Sequence, residues 1–501
     1  MSEEIKSTKY TKVFGNNKWD VQIELSNGDL TWDIPGNVWQ NLCLEFDLFD
    51  WAPKGYVTIV NQYDGLERFY QEGQDEPVYY FRMDGRDRLK IKIVDTEMNE
   101  DLPKEVWEIN LDMVVYDTSD NKVLNNATKE KTIYFWDHRY HTMQEKNLEF
   151  STAYKASQEL NKPISKLKNH ERAMYTGDAL KELLTKAGFK DSIDTNVEKW
   201  DLGVNKIMYT SPATSTLGDD VKSILGSHLS KEGDRCIFYF NRGLGESGQW
   251  QLLPISYFFK NAGKDKPGEL QIERFYFEDL GADEEVSAEH SPRHIAGERT
   301  LKQDLDLLEF NRITSYEFID MSGIDNTKAL VNKPVYWYYN KGKQFGLDYE
   351  HNEIKNVKEK FEKFYTDHLY AAGKPYSIFP LNQAKIQHHA VDPQFTWGGA
   401  KNNNSAISRS YNGSGAIMLG GLLLNECIHF RVLGSTHRHA GTFIAIERMN
   451  QNMDNHLDYK LCGQWFVVNV KHIMWMDKFV NDITAVKIHS YENLKISEAV
   501  E

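Results

Sequence analysis

Short apolar segments separated by turn residues dominate the first 150 residues. Leu89–Val94 alternates apolar and polar side chains with a period of two, which is the pattern of a half-buried strand. Asn27-Gly28, Asp64-Gly65 and Asp84-Gly85 stand between such segments and are typical of tight turns. Six or so strands at this spacing predict a sandwich or a closed barrel. The predicted strands are Leu42–Phe49, Tyr56–Asn61, Val78–Met83, Leu89–Val94, Trp107–Tyr116 and Thr132–Trp136.

The pattern changes at Ser151, after which helical and strand segments are mixed. Ala179–Ala187 is predicted to be a helix, with Thr176 or Asp178 as its N-cap and Gly188 as its stop. Residues 151–330 are therefore predicted to be α+β. Further predicted elements are a helix at Asp219–Ser230 and strands at Cys236–Phe240, Gln249–Phe259 and Leu270–Phe277.

A helix followed by a second β region is predicted for the remainder of the chain. In His351–Gly373, Ile354, Val357 and Phe361 lie on one apolar stripe while charged residues fill the other positions. From Ser405 onward the pattern again favours strands. The predicted strands are Ala416–Leu424, Cys427–Leu433, Thr442–Ile446, Trp465–Val470 and Ile483–His489.

One late strand allows a prediction for each side chain. Gly463 is predicted to start it as a turn or bulge, because glycine tolerates positive φ. Side chains alternate between the two faces of a strand. The predicted faces are Trp465, Val467 and Asn469 on one side, and Phe466, Val468 and Val470 on the other.

The charge of the chain is strongly acidic and unevenly distributed. Its 501 residues contain 59 basic and 74 acidic side chains, a formal net charge of −15. From Ile386 onward there are ten of each, so the first 385 residues carry the whole excess. Phosphate contacts need Lys and Arg, so this balance argues against a protein that wraps nucleic acid.

Hydropathy and cysteine usage indicate a chain that neither enters a membrane nor forms disulfides. No stretch of about 20 apolar residues occurs, so no transmembrane helix is expected. The first residues have no apolar segment and are not expected to act as a secretory signal. The four cysteines lie far apart without a CxxC spacing, and we interpret them as reduced core residues. They are Cys43, Cys236, Cys427 and Cys462.

Two short motifs do not have the surroundings that their usual functions require. Gly243-Leu-Gly245-Glu-Ser-Gly248 matches GxGxxG, but Pro254 and the aromatic residues after it predict a strand instead of the helix that would hold a dinucleotide. We therefore expect a hairpin turn. The acidic segment Asp95–Asp101 lacks the glycine and the final glutamate of a calcium loop. No GxxxxGK[ST], HExxH or GxSxG occurs.

Two interpretations of the clustered histidines remain open from the sequence. His437 and His439 could share one face of a strand and present paired imidazoles, and His388 and His389 add two more. A metal site needs a third or fourth ligand, which the sequence does not fix. The alternative is that these are surface or interface histidines. No pair of carboxylates can be placed across a cleft, so the sequence does not predict a glycosidase.

Several C-terminal segments resemble a known protein family when they are read in order. Phe430–Gly434, Ala440–Ile446, Leu461–His472 and Phe479–Lys487 resemble the closing barrel of baseplate hub proteins from contractile-tailed phages and of the related type VI secretion spike. That family places a glycine, an aromatic residue and alternating valines on a late strand, here Gly463–His472. The resemblance covers roughly residues 20–495. Earlier segments in matching order are Leu148–Ala153, Thr176–Leu184, Ile224–Ser230 and Gln249–Lys260.

The resemblance implies a fold class and a domain order. The fold would be α+β and mainly β, with two antiparallel β-barrel domains of the tail-tube kind flanking a mixed α/β middle region. The barrels would be residues 1–150 and 401–501. Residues 151–330 would form the α+β domain, and residues 331–400 a helical connector.

The resemblance also implies a structural function without a catalytic residue, cofactor or metal. Three chains would form a ring that adapts a threefold central spike to a sixfold tail tube and lines the channel for DNA ejection. Expected partners are the chain itself as a homotrimer, the spike, a tail tube or tube-initiator protein, the tape-measure protein and wedge proteins, with DNA only in transit. The expected location is the virion tail baseplate, assembled in the host cytoplasm.

Two other classes of protein remain open from the sequence. A tail-associated enzyme that degrades cell wall would also be rich in strands and aromatic residues, but it needs two opposed carboxylates. A receptor-binding or fibre-network protein would recognise glycans through exposed aromatic side chains. Turnover of cell-wall material separates the first class from a hub, and the number of copies per tail separates the second.

Overall fold

Strands dominate the part of the chain that the computed structural model describes. Four α-helices occur within this part. The mainly β character predicted from the sequence is therefore confirmed. The described residues are 10–14, 17–28, 31–61, 81, 85–95, 108–122, 129–168, 170–203, 206–226, 228, 230, 236–242, 248–254, 257–258, 273–277, 311–320, 336–340, 343–347, 426–448, 461, 463–475 and 478–487.

The N-terminal strands form an antiparallel sheet. The strands are β1 Tyr10–Phe14, β2 Asn17–Ser26, β3 Thr31–Asp33, β4 Trp39–Asp47, β5 Lys54–Asn61, β6 Arg88–Asp95, β7 Glu108–Lys122 and β8 Lys129–Asp137. Their order in the sheet is β1-β2-β6-β7-β8-β5-β4, and β3 also pairs with β2. Five of the six strands predicted in this region are confirmed, while most of Val78–Met83 lies outside the described residues.

Helices and short strands follow. The predicted hairpin around the glycine-rich motif is confirmed, because two antiparallel strands flank it. Both predicted helices in this region also exist. The elements are α1 His138–Glu145, α2 Thr152–Glu159, β9 Met174–Tyr175, α3 Thr176–Ala187, β10 Lys206–Ile207, α4 Leu217–Gly226, β11 Cys236–Asn241 and β12 Gln249–Pro254.

The C-terminal strands form a second group. The strands are β13 Glu273–Phe277, β14 Ser315–Asp320, β15 Tyr336–Asn340, β16 Lys343–Leu347, β17 Glu426–Leu433, β18 Phe443–Arg448, β19 Gly463–Trp475 and β20 Phe479–Lys487. Strands β14, β17, β20 and β19 pair antiparallel in that order, β18 also pairs with β19, and β13 pairs with β18 in parallel. The predicted strand Ala416–Leu424 and the predicted helix His351–Gly373 lie outside the described residues. Within 331–400, the described residues form a hairpin.

The long strand β19 joins the two groups into one sheet. Its first part, Gly463–Phe466, pairs with β18, and its second part, Asn469–Trp475, pairs with β4. Along its other edge it pairs with β20. One strand of 13 residues is long enough to pair with both neighbours in succession. The N-terminal and C-terminal strands therefore share a continuous backbone hydrogen-bond network.

Each group of strands encloses its own apolar core. The N-terminal core contains side chains of β2 and β4 to β8, together with Met474 and Phe479 from the C-terminal end. Trp19 packs edge-on against Phe479, with ring centroids 4.8 Å apart. The C-terminal core contains Phe275, Phe430 and Trp465. A third core, which includes Leu180, Leu184, Ile224, Trp250 and Leu252, holds the helices against the β11–β12 hairpin.

The backbone links β13 to the segment that precedes β14. Tyr276 donates its N–H to the carbonyl of Asn311 over 3.2 Å, and Ile313 donates to the carbonyl of Tyr276 over 2.9 Å. Thr314 then donates to Arg431 of β17 over 2.8 Å. Strands β13 and β14 stand at the two ends of the C-terminal strand order, and these backbone hydrogen bonds connect β13 to the residues just before β14.

The predicted faces of β19 are wrong in its second half. Gly463 does start the strand, with φ of 121°. However, a bulge lies between Val467 and Asn469, which pair with successive residues of β20. The extra residue reverses the alternation, as bulges do. Val470 therefore joins Trp465 and Val467 in the C-terminal core.

The predicted N-cap of α3 is also wrong. Tyr175 precedes the first helical residue, and Thr176 lies inside the helix. The Thr176 hydroxyl contacts the His228 ring over 2.8 Å instead of capping the helix. The predicted stop is confirmed, because Gly188 has φ of 100° and ends the helix in the left-handed region, where glycine is favoured.

Candidate functional site: the outward face of the shared sheet

The side chains of β17, β20, β19, β4, β5 and β8 that point away from both cores form one surface, here called the outward face. Successive residues of a strand point to opposite sides. Because these six strands are hydrogen-bonded neighbours, their outward residues align in rows across the sheet. The two rows described next run through both halves of the molecule.

The apolar row is formed by six residues, one from each strand. Each is the register partner of the next, across the five strand pairs. Ile473, Val480 and Cys43 in its centre are buried. Burial raises the pKa of the Cys43 thiol to about 12, so this side chain is uncharged at neutral pH. The row consists of Leu433, Val480, Ile473, Cys43, Tyr56 and Tyr134.

Aromatic rings continue this row towards α1. Tyr56 and Tyr134 lie 6.1 Å apart, and Tyr134 lies 6.4 Å from Tyr116. Tyr116 stacks on Trp136 at 3.9 Å. Tyr140 of α1 then packs edge-on against Trp136 at 5.2 Å. A band of aromatic side chains on an outward sheet face is typical of a contact surface, since aromatic residues are enriched at interfaces.

The charged row lies two residues further along each strand. Arg431 holds Asp482 with two hydrogen bonds of 2.6 and 2.7 Å. The Lys471 ammonium lies 3.6 Å from Glu45. Signs alternate from strand to strand, so each cation has a carboxylate beside it. The row consists of Arg431, Asp482, Lys471, Glu45 and Lys54, which are successive register partners.

Lys54 at the end of the row is shared between two carboxylates. Its ammonium lies 2.6 Å from Asp50 and 3.9 Å from Glu45. Asn469 in turn donates both amide hydrogens, to Glu45 over 2.8 Å and to Asp47 over 2.9 Å. This amide holds together two carboxylates that would otherwise repel each other. The charged row is thus part of a connected network across the boundary between β4 and β19.

A buried polar cluster fixes the loop between β17 and β18 at the junction of the two cores. Arg438 is 4% exposed and donates to Glu273 over 2.9 and 3.0 Å. It also donates to Asn311 over 3.1 Å and to Asn481 over 2.9 Å, and to the Leu433 carbonyl. A buried guanidinium with this many acceptors fixes its surroundings tightly.

Electrostatics within this cluster are strongly perturbed. Burial alone would raise the pKa of Glu273, but the charges of Arg438 and His437 lower it to about 2. Burial lowers the pKa of His472 well below its usual value. The Asn481 carbonyl oxygen accepts from Ser435 and Arg438, so its amide nitrogen faces His472 Nδ1 at 2.9 Å. His472 is therefore a neutral ring with Nδ1 as an acceptor.

Two of the four histidines singled out in the sequence, His437 and His439, lie at this cluster. His437 Nε2 lies 3.2 Å from Glu273, and His439 Nδ1 lies 2.9 Å from the His437 carbonyl. His388 and His389 lie outside the described residues. The structure thus gives His437 a carboxylate partner and His439 a backbone partner.

A different group of possible metal ligands was missed by sequence reasoning. Asp201, His228 and Cys236 each direct one ligand atom towards the others, with all three atoms within 4.8 Å of one another. Within the described residues this is the only such group of three or more. Their spacing in the sequence matches no zinc signature, because loops and a helix separate them.

Among the described residues, no helix is both long and apolar enough to cross a membrane.

Comparison with known proteins identifies similar structures but no related sequences. No family model matches the chain, and no curated protein matches it. The tail protein from Neisseria meningitidis MC58 has a TM-score of 0.45 and 8% identity, covering 94% of this chain and 96% of its own. The 43 kDa tail protein of prophage MuSo2 from Shewanella oneidensis has a TM-score of 0.42 and 8% identity, covering 93% and 98%.

A third similar structure comes from a secretion assembly. The half-lidded PdpA-VgrG complex of Francisella contains a chain with a TM-score of 0.43 and 10% identity, and the match covers 95% of this chain and 59% of that one. The three similar structures are thus two tail proteins, one of them from a prophage, and a chain of a PdpA-VgrG complex.

Proposed function

We propose that this protein is the structural hub of a phage-type tail baseplate. Three chains form a ring that adapts a threefold spike to a sixfold tube. The observation that carries the proposal is the shared strand β19, which fuses two strand groups with separate cores into one sheet. Two such units per chain give six units in a trimer, and a closed heterologous interface builds such rings.

Each strand group is proposed to be a barrel. Support in the C-terminal group comes from the backbone bonds of Tyr276 to Asn311 and Ile313, which connect β13 to the start of β14. These bonds would complete a ring of six strands in the order β14, β17, β20, β19, β18 and β13. Support in the N-terminal group comes from the Trp19–Phe479 contact, which brings β2 close to the start of β20, two strands beyond β4 in the sheet.

The outward face is proposed to line the channel through which DNA leaves the particle. Arg431, Lys471 and Lys54 each contact a carboxylate of the same chain. A passing phosphate would have to displace one of these carboxylates to gain a cation. DNA would therefore slide along this face without the counterion release that drives tight binding.

The remaining partners follow from this position in a tail. The ring would contact the central spike on one side and a tail tube or tube-initiator protein on the other, with the tape-measure protein and baseplate wedge proteins nearby. The location would be the virion baseplate, after assembly in the host cytoplasm. The role requires no catalytic step, cofactor or metal.

The mass of the purified protein and an electron-microscopy reconstruction of its assembly test this proposal. We expect a mass of three chains, alone or with the spike, and six similar β units around a central opening. The outward face should line that opening. A protein that stays monomeric at all concentrations and with the spike present would overturn the proposal, as would a ring in which the outward face is turned away from the opening.

A turnover assay on cell-wall material tests the alternative class. A hub should release no soluble fragments from peptidoglycan above the level of a heat-denatured sample. Sustained release that depends on native protein would favour a tail-associated enzyme instead.

A further inference from the structure

Three side chains from separate segments meet beside the N-terminus of α3. Asp201 follows a short helical turn at Val197–Lys199, His228 follows α4, and Cys236 begins β11. The ligand atoms of the three residues lie within 4.8 Å of one another. His228 and Cys236 are buried, with 4% and 8% of their surface exposed to solvent. None of these residues contributes to the outward face.

The separation of the three atoms suits a tetrahedral metal ion. Zinc binds sulfur at about 2.3 Å and nitrogen or oxygen at about 2.0–2.2 Å. In a tetrahedron, ligand atoms at those lengths lie roughly 3.3–3.8 Å apart. The Asp201–His228 distance, 3.4 Å from Oδ1 to Nε2, is already in this range. Small movements of the side chains would bring the sulfur into the same range.

His228 provides an independent sign of a ligand. Its Nε2 atom is buried and has no hydrogen-bond partner among the described residues, although it faces Asp201. Its other nitrogen, Nδ1, lies 2.8 Å from the Thr176 hydroxyl. Metal-binding histidines commonly donate their second ring N–H to such a group, which fixes the tautomer. With the proton on Nδ1, the lone pair of Nε2 points towards the carboxylate.

With the proton of His228 on Nδ1, a cation is needed between His228 and Asp201. A lone pair and a carboxylate oxygen at 3.4 Å repel each other unless a positive charge lies nearby. A carboxylate, an imidazole and a thiolate together carry two negative charges, which balance one divalent ion. A thiolate and an imidazole select zinc-like metals, whereas calcium and magnesium require oxygen ligands.

The backbone around the site is closely packed. A Cβ atom on Gly203 would lie 2.5 Å from the Thr176 hydroxyl and 3.0 Å from the His228 ring. The Gly203 N–H donates to Asp201 Oδ1 over 2.6 Å. Asp201 and His228 are therefore held by their surroundings before any ion arrives, which favours binding.

We propose that Asp201, His228 and Cys236 form a site for a zinc-class divalent ion, with water as the fourth ligand and Thr176 as a positioning residue. On binding, the Cys236 thiol releases its proton to solvent and the thiolate forms the metal–sulfur bond. The ion would hold together three segments that are far apart in the chain. This role is independent of the proposed ring.

Metal analysis of the purified full-length protein tests the site. We expect about one zinc per chain after dialysis against metal-free buffer. Cobalt exchanged into the site should give a sulfur-to-cobalt charge-transfer band and the visible bands of tetrahedral Co²⁺. Added zinc should raise the melting temperature of the metal-free protein, because an ion that binds only the folded state stabilises it.

Substitutions of single residues show whether the metal binds at this site or at another cysteine. Cys236→Ser and His228→Gln should lose the charge-transfer band or the bound zinc. Cys427→Ser is the matched control, because Cys427 also lies beside a histidine, 3.7 Å from His429 Nε2, but belongs to no three-ligand group among the described residues. It should retain zinc and the cobalt spectrum. Thr176→Val should keep the site but weaken zinc binding about 10- to 100-fold.

Two outcomes would overturn the proposal. One is metal-free protein that shows neither a cobalt charge-transfer band nor a zinc-dependent melting temperature. The other is a Cys427→Ser variant that loses the metal while Cys236→Ser keeps it. If Cys236→Ser does not fold, the cobalt titration of Thr176→Val decides, since an affinity equal to that of the unmodified protein contradicts the proposed positioning.

Discussion

At the scale of single residues, burial explains most of what the side chains do. Trp465 is fully buried, and its indole N–H donates to the Leu461 carbonyl over 2.9 Å. Trp475 on the same strand is only half buried and lies under the Arg431 guanidinium at 5.3 Å. The two tryptophans therefore serve as a matched pair for the core and the outward face.

Truncation of Trp465 should destabilise the protein strongly. Trp465→Ala is expected to lower the free energy of unfolding by about 3–5 kcal/mol, because it removes a large buried side chain and leaves a cavity. Trp475→Ala should cost clearly less. Chemical denaturation of both variants measures the difference. An unchanged melting point for Trp465→Ala would show that this residue is not part of the core.

Glu273 should make stability depend on pH in the acid range. Its pKa in the folded protein, about 2, is below the ordinary value of 4.5, so its contribution is present above about pH 4.5 and is lost as the pH falls towards 2. We expect Glu273→Gln to be less stable than the unmodified protein at pH 7 by about 3 kcal/mol. The two proteins should converge as the pH approaches 2.

Denaturant unfolding at several pH values measures this convergence. Glu317→Gln is a suitable control, because Glu317 lies on β14 and pairs in register with His429, away from Arg438. A stability difference between Glu273→Gln and the unmodified protein that stays constant from pH 7 to pH 2 would contradict the assignment of the low pKa to Glu273.

The contacts of these residues also show which features could be predicted from the sequence and which could not. Trp465 could be placed in a core strand, because aromatic and β-branched residues surround it in the sequence. Arg438, between two histidines that attracted attention as metal ligands, could not be recognised as the centre of the cluster. Its partners Glu273, Asn311 and Asn481 lie far away in the sequence, and no local pattern encodes such contacts.

At the scale of elements, the period-two pattern located strands well but could not reveal the bulge in β19. The extra residue of a bulge is of the same type as its neighbours, so the sequence does not mark it. Strict period-two alternation therefore placed Val470 on the face opposite Trp465. The pairing with β20 shows the extra residue between Val467 and Asn469. The partner strand β4 was equally hidden, because more than 400 residues separate it from β19 in the sequence.

Deletion of Val468 should therefore remove the bulge without shifting either half of β19. Val467 and Asn469 already pair with successive residues of β20, so both halves keep their register and Trp465 and Met474 stay in their cores. We expect the deletion variant to keep a cooperative unfolding transition but to melt at a lower temperature than Val468→Ala. The deletion removes the carbonyl that accepts from Leu48 N–H over 2.8 Å, whereas Val468→Ala keeps it.

Near-ultraviolet circular dichroism and thermal melting compare these two variants. A deletion variant without a cooperative transition would show that the two halves of β19 cannot keep their register once the extra residue is removed. A melting point equal to that of Val468→Ala would show that the bulge and its hydrogen bond to Leu48 contribute nothing to stability.

At the scale of the whole molecule, the sequence indicated two β regions with a mixed region between them, but not how they join. Charge, in contrast, can be read from the sequence directly. The excess of acidic residues lies in the first 385 positions, whereas the charged row of the outward face has three cations and two carboxylates. A trimer would carry three times −15, or −45. Such a charge repels phosphate over about 8 Å at physiological ionic strength.

The assembled protein should therefore not retain DNA, and reversal of charges on the outward face should change this. In Glu45→Lys/Asp482→Lys, the cations Arg431 and Lys471 lose their carboxylate partners and two new lysines join them. We expect this variant to bind duplex DNA with an affinity that falls steeply as salt is added, because phosphate binding releases counterions. These ion pairs are partly buried, so a circular-dichroism spectrum and melting temperature close to those of the unmodified protein are required of the variant before its DNA binding is compared.

Glu24→Lys/Asp112→Lys is the matched control. It makes the same change in net charge on β2 and β7, where Glu24 pairs with Lys90 and Asp112 with Arg88, away from the strands of the outward face. Filter binding across a range of salt concentrations compares the three proteins. Tight binding by the unmodified protein, or equal binding by both variants, would show that the outward face does not line the path of the DNA. Salt-dependent binding confined to the first variant is the result that a DNA-repelling channel wall requires.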